Sequence, residues 1–354
     1  MTKHKLRKFF KPLYPILDIL LSPFTFLASV LLFSIRKMRI VNMPLSKWIF
    51  KKVGVFPITN HYYETLFDDR LIKLPLDRDR YLPGINWNDQ AQLDLLGNFH
   101  YQTELAAIPF KKTANALSFY YDNPSLRPGD AEYLYCMVRN FLPSKIIEIG
   151  SGYSTLLIQK AVSDIRIQKP EYKVDHICVE PYEMPWLEKT GVQVIRQLVE
   201  DLKPDLFKSL CENDILFIDS SHMTRPQGDV LFEFLELLPV LQKGVVIHVH
   251  DIYSPKDYPR ELLVDDVMFW NEQYILESFL SCNHSFEIIG ALHYLKSHYP
   301  DEVFAKLPVL GNMQDEVPGS FWLKKSAIKA DHDLLSRISR YASIVFFAAI
   351  FQVN

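Results

Sequence analysis

A doubly wound, mostly parallel α/β sheet is the fold class this sequence predicts, and three observations carry it. A short apolar strand breaks into a two-glycine turn in Ile146-Ile-Glu-Ile-Gly-Ser-Gly-Tyr-Ser-Thr155. The spacing of apolar residues from Thr155 to Val162 is then that of a helix packing back on the sheet. Four more short apolar strands follow, alternating with helical stretches, and each ends in polar residues. That alternation predicts a sheet covered on both faces, with ligands at the carboxyl ends of its strands.

The chain has 354 residues, 48% of them hydrophobic and 23% charged, with a formal net charge of −3. This is ample for a buried core and for more than one unit. Near neutrality gives no whole-chain reason for a nucleic-acid partner, and none is expected. Cys136, Cys178, Cys211 and Cys282 show no C-x-x-C spacing, as for thiols in a reducing compartment.

At the N-terminus, residues 12–35 carry a single charge, Asp18, and are long enough to cross a bilayer. Lys3, Lys5, Arg7, Lys8 and Lys11 precede them, and Arg36, Lys37 and Arg39 follow, so flanking charge sets no orientation. A removable secretory signal is disfavoured by the bulky basic residues that follow. Pro15 and Pro23 predict interruption: two short apolar segments that enter and leave on one side, or lie along the interface, as a monotopic anchor at the cytoplasmic face. The alternative is an apolar hairpin packed on protein. Four regions are expected: a basic leader and apolar membrane-associated segment (1–55), a cap rich in aromatic and turn residues (56–128), the sheet domain (129–326) and a helical tail (327–354) containing the apolar run Tyr341 to Val353. Asp130 is read as the cap of a helix starting near Ala131.

Gly150 and Gly152 allow a sharp bend and close approach of the backbone to a ligand. No third glycine follows at the spacing of a dinucleotide site. Glu148, beside the turn, suits an ammonium group. Downstream, Ile177-Cys-Val-Glu180-Pro181 ends a second strand in an acid, at the distance a βαβ unit needs to reach a ribose. A third strand, Val192 to Ile195, runs into Leu198-Val-Glu200-Asp201; a fourth ends in Ile218-Asp219-Ser-Ser-His222, and a fifth in His248-Val-His250-Asp251.

In this order the residues resemble the class I S-adenosylmethionine-dependent methyltransferases, whose first motif reads E/D-x-G-x-G. The likeness extends roughly from Asp130 to Lys325 and is nearest to a bacterial group with Ile-Asp-x-x-His and His-Asp strand ends. It implies a Rossmann-like sheet of seven strands, closed by an antiparallel hairpin at Phe286 to Ile289 and Pro318 to Leu323. It also implies that S-adenosylmethionine is held by Glu148, Gly150, Ser151, Gly152, Tyr153 and Ser154, by Glu180 at the ribose, by Glu200 and Asp201 near the adenine, and by Asp219. Tyr120, Tyr121 and Asn123 would belong to a lid.

Methyl transfer from a sulfonium is an in-line displacement, so the protein must align the acceptor and weaken its proton. Asp219 and Asp251 end strands that the resemblance makes neighbours, and two acids that close share a proton or bind a cation. A Mg²⁺ ion on Asp219 and Asp251 is one expectation, although Ile252 stands where related enzymes keep an acid or Asn. His222 and His250 are the candidate bases, because imidazole titrates near neutrality. His248, deeper in its strand, is expected to be structural. In the following loop and helix, Ser254, Lys256, Tyr258, Arg260 and Trp270 are candidates for facing the acceptor. The expected function is methylation of an oxygen on a polar small-molecule or glycan acceptor, glycan- or lipid-linked, near a membrane. Two alternatives remain open: a membrane-attached binding protein without turnover, and a non-haem iron oxygenase using Asp219, His222 and His250. Nothing in the sequence sets the oligomeric state.

Overall fold

The computed structural model describes residues 11–59, 65–66 and 69–326. The charges before Lys11, the His61 to Glu64 stretch and the tail 327–354 lie outside the described residues. The chain falls into two compact units, Met1–Leu74 and Pro75–Asn354.

The larger unit is built on one seven-stranded sheet: β1 Lys145–Ile149, β2 Asp175–Val179, β3 Gln193–Ile195, β4 Ile215–Ile218, β5 Val246–Val249, β6 Phe286–Ala291 and β7 Phe321–Lys325. Their order is β3-β2-β1-β4-β5-β7-β6, with β7 antiparallel to both of its neighbours and the rest parallel. This is the predicted mostly parallel, doubly wound sheet with an antiparallel final hairpin. Segments such as Ile215-Leu-Phe-Ile218 are apolar at every position because both faces are covered.

On one face, helix α3 (Asp130–Phe141) and helix α4 (Tyr153–Gln168) enclose a core with Leu134, Met137, Leu157, Ile158, Phe217 and Trp322. The opposite face buries Ile147, Ile149, Val179, Ile218, Ile247 and Leu276. Each such side chain contributes about 1.5–3 kcal/mol on leaving water. The strand order reverses between β1 and β4, which opens a crevice at the carboxyl ends of those two strands.

Residues of the expected cap dock on the far edge of this sheet. The buried Gln92 accepts from the Ala291 amide at 2.6 Å, and Tyr294 and Tyr299 both donate to Asp89. Of the three expected lid residues, Tyr120 reaches the glycine turn, with its hydroxyl 3.2 Å from that of Tyr153. Tyr121 is buried and donates to the Leu105 carbonyl, and Asn123 braces its own loop, so neither serves as a lid.

In the smaller unit, α1 (Tyr14–Lys37) is one unbroken helix of 24 residues. The expected interruption does not occur. Pro15 sits in the first turn, where its missing N–H costs nothing. Pro23 removes the donor to the Ile19 carbonyl, and the Ser22 hydroxyl donates to that carbonyl at 2.9 Å instead. None of its most apolar 18-residue stretch is buried. A short turn leads to α2 (Pro44–Val53), which ends at Gly54 in the left-handed region.

Candidate active site

Parallel register builds the site. Val179, Ile149, Ile218 and Val249 are the last paired residues of β2, β1, β4 and β5, and Val179 and Ile218 both pair with Ile149 while Ile218 also pairs with Val249. The next residue of each strand therefore falls in one row across the crevice: Glu180, Gly150, Asp219 and His250. Backbone bonds tie this row, from the Gly150 amide to Val179 (3.0 Å), from Asp219 to Ile149 (2.8 Å) and from His250 to Ile218 (2.9 Å).

Gly150 has φ +75°, and a Cβ there would lie 1.9 Å from the Asp219 carbonyl oxygen. Only glycine lets the turn and the end of β4 meet backbone to backbone. Beyond it, the Ser151 amide donates to Glu180 Oε2 at 3.3 Å, while the Ser151 hydroxyl is buried without a partner. Glu180 Oε1 accepts the amides of Tyr182 and Glu183 at 2.9 and 2.8 Å.

Glu148 is placed differently from expectation. Between Ile147 and Ile149, which face one core, its side chain turns to the other face and is fully buried. It accepts from Ser154 (2.6 Å) and Thr155 (2.8 Å), lies 2.6 Å from His176 Nε2 and accepts a weak bond from Cys178 at 3.3 Å. It thus anchors the start of α4 from beneath rather than meeting a ligand, and Ser154 points down with it. Glu200 and Asp201 lie in a short turn after β3; Asp201 is exposed, whereas one Glu200 oxygen is buried without a partner.

At β4 and β5 the four expected residues converge. His222 Nε2 is 3.4 Å from Asp219 Oδ1 and 3.4 Å from Asp251 Oδ2. His250 Nδ1 is 3.4 Å from Asp251 Oδ1 and 3.7 Å from Asp219 Oδ1. Two further acids complete the cluster. Glu272, on α5 (Glu272–Leu280), is fully buried and holds His222 Nδ1 at 2.8 Å. The amides of Asn271 and Glu272 also donate to the His222 carbonyl, fixing that residue at φ +58°. Asp130 does not cap its helix: Gly129 holds that position, and the Asp130 carboxylate accepts the amides of Gly319 and Ser320 and lies 3.8 Å from His250 Nε2. Neither acid carries a local pattern that would reveal it, because each partner is remote in sequence.

Charge sets the protonation. Burial opposes charging of His222, but hydrogen bonding to Asp219 and Glu272 and the charges of Glu272 and Asp251 outweigh it and raise its pKa well above the usual value. Burial likewise disfavours charged His250, yet Asp251 and Asp219 push it up to about 10. Burial would raise Asp251, but His250 beside it holds that carboxyl well below the ordinary range. His248, stacked 4.2 Å from the Phe217 ring and 3.2 Å from the Ser320 hydroxyl, is driven toward the neutral form by burial.

Of the downstream candidates, Trp270 flanks the site, its ring 4.4 Å from that of His222. Tyr258 and Ser254 do not line it. Tyr258 is fully buried and accepts the Gln273 amide, while Ser254 donates to Glu277. Lys256 reaches Ser297, and Arg260 is exposed beside Asp265. Tyr253, not foreseen, donates to Asp251 at 3.0 Å.

One atom each from Asp219, His222 and Asp251 lies within 4.8 Å of the others, a donor set of two carboxylates and one imidazole. His250 is not among these donors.

Residues 147–252 match a family model described as a methyltransferase domain. An uncharacterised protein of Archaeoglobus fulgidus is 25% identical over 178 residues, 47% of this chain and 78% of that protein. Among solved structures, an O-methyltransferase from Bacillus cereus in complex with SAH superposes with a TM-score of 0.33 at 12% identity, covering 66% of this chain and 91% of that one. The O-methyltransferase TomG from Streptomyces achromogenes, in complex with SAM, gives a TM-score of 0.29 at 13% identity over 66% and 90%.

Proposed function

We propose that this member of the class I S-adenosylmethionine-dependent methyltransferases passes a methyl group from S-adenosylmethionine to an oxygen of a polar small-molecule acceptor, glycan- or lipid-linked, at the cytoplasmic face of a membrane. One observation carries the chemistry: Asp219, His222, His250 and Asp251 converge at the ends of β4 and β5, in register with the Gly150 turn.

The turn fits the cofactor, since its buried Ser151 hydroxyl lacks a partner and no side chain stands at Gly150. When bound, S-adenosylmethionine supplies an electrophilic methyl on sulfur. Glu180 would accept the ribose hydroxyls through Oε2, held in place by the two amides on Oε1. Glu200 is assigned to the adenine side, with Asp201 next to it. Glu148, through Ser154 and Thr155, would fix the direction of α4 and with it the turn.

On the acceptor side, His222, its ring oriented by Glu272 on Nδ1, would take the hydroxyl proton at Nε2 once a cation on Asp219 and Asp251 offsets the carboxylates that otherwise hold the ring charged. Asp219 and Asp251 would hold Mg²⁺, which favours oxygen donors and would supply a Lewis-acid grip on the acceptor oxygen. His250 lies outside this group of metal-capable atoms, which disfavours the two-histidine iron centre. His250 reaches the same two carboxylates, but its Nε2 faces the buried Asp130, and its ring is assigned to balancing these acids. Support for the membrane comes from α1, whose 24 apolar-rich residues suffice to cross a bilayer.

Calorimetry with S-adenosylmethionine and S-adenosylhomocysteine, followed by transfer of a radiolabelled methyl to extracted glycolipid, tests the proposal. Absence of cofactor binding would end it; binding with label only in nitrogen-linked products would correct the acceptor atom.

A further inference from the structure

We propose that α2 and the basic turn before it form a collar that lies on an anionic phospholipid surface, apolar side down. The proposal rests on reading α1 as inserted in the bilayer. Leu45, Trp48, Ile49 and Val53 follow i, i+3, i+4, i+8 spacing along one side of α2, and that side is uncovered: Leu45 and Val53 are 77% and 70% exposed. Another side is already occupied. Phe50 packs edge-on against Phe56 with ring centroids 6.0 Å apart, and the Arg36 guanidinium lies 5.1 Å over the same Phe56 ring.

Charge identifies the partner. Lys37, Arg39, Lys47, Lys51 and Lys52 are all exposed, and no acidic residue occurs between Asp18 and Glu64. A second copy of this face would bring like charges together, which excludes self-pairing. An anionic bilayer instead takes the apolar side chains between its head groups while the lysine stems reach outward to phosphate. Trp48 is the residue type that settles at this depth, and Lys52 already stands 4.8 Å over its ring. The end of α1 at Lys37 then sits at the acidic-lipid surface, and the chain beyond Gly54 leaves on that side.

Full-length protein is reconstituted into brominated phosphatidylcholine vesicles, with and without one third phosphatidylglycerol. The Trp48 signal is the difference between wild type and Trp48→Phe. Trp48 is expected to be strongly quenched in the anionic vesicles and weakly in the neutral ones. The combined Lys47→Gln, Lys51→Gln and Lys52→Gln variant should lose this difference while staying with the vesicles after carbonate washing, because three lysines together change partitioning to such a surface about a hundredfold. Equal quenching in both compositions, no quenching in either, or an unaffected triple variant overturns the collar. Release of wild type by carbonate overturns the insertion of α1 itself, and the collar with it.

Discussion

On the β1–β2 side of the crevice, the buried acids have found partners within the protein; on the β4–β5 side, charge is crowded and imperfectly matched. Glu148 is met by Ser154, Thr155 and His176, and Glu180 by three backbone amides. By contrast, the His250 ring nitrogens lie 3.4, 3.7 and 3.8 Å from the carboxylates of Asp251, Asp219 and Asp130, longer than well-formed hydrogen bonds. His222 and Asp251 hold φ of +58° and +55°, a region disfavoured for side-chain-bearing residues. Strain and unmatched charge persist only where surrounding structure enforces them, and they concentrate where chemistry is done. The first side has its carboxylates already positioned and leaves the Ser151 hydroxyl for a ligand held unchanged. The unsatisfied side is completed by what binds there.

The division can be broken by substitution, beginning with the largest effect. His222→Ala should lower methyl transfer by about 10²–10⁴-fold, the usual worth of a positioned base, while S-adenosylhomocysteine affinity by calorimetry changes only a few-fold. If affinity fell equally, the two sides would not be separate. Removal of divalent cations by a chelator should lower the rate by roughly a hundredfold or more, with recovery on adding Mg²⁺ and no loss of cofactor binding. Glu180→Ala should show the converse pattern. Its cofactor affinity should fall by roughly 10–150-fold, the equivalent of about 1.5–3 kcal/mol for a charged hydrogen bond, with near-normal turnover at saturating cofactor. Gly150→Ala should cost about 1–3 kcal/mol in denaturant unfolding, because its methyl would strike the Asp219 carbonyl. Smallest is Tyr258→Phe, expected to lose about 1 kcal/mol of stability by leaving the Gln273 amide unpaired, with unaltered transfer. A large drop in transfer would return Tyr258 to the acceptor site.

Much of the sheet was legible because its signals are local. A strand of five residues, a glycine turn and a terminal acid are neighbours in the chain, and parallel register then aligns Glu180, Gly150, Asp219 and His250 without further information. Glu148 was misplaced although its period-two position between Ile147 and Ile149 already turns it away from their face. Glu272 and Asp130 were out of reach for another reason. Glu272 meets His222 across 50 residues, and Asp130 meets Gly319 across 189, so tertiary packing alone defines them. At α1 Pro23 taken alone predicts a break, whereas in the helix the Ser22 hydroxyl donates to the Ile19 carbonyl that the proline leaves without its donor.

The placement of β7 bears on how the molecule is made. Among the described strands it comes last in the chain, yet it lies between β5 and the edge strand β6. A nascent chain therefore carries β5 with an open edge until Lys325 has left the ribosome, and an open edge invites wrong pairing. The residues just before β7, Gly319 and Ser320, also position Asp130 beside His250. The chain must be made as far as Lys325 before the β4–β5 end of the crevice is complete, long after α1 has emerged.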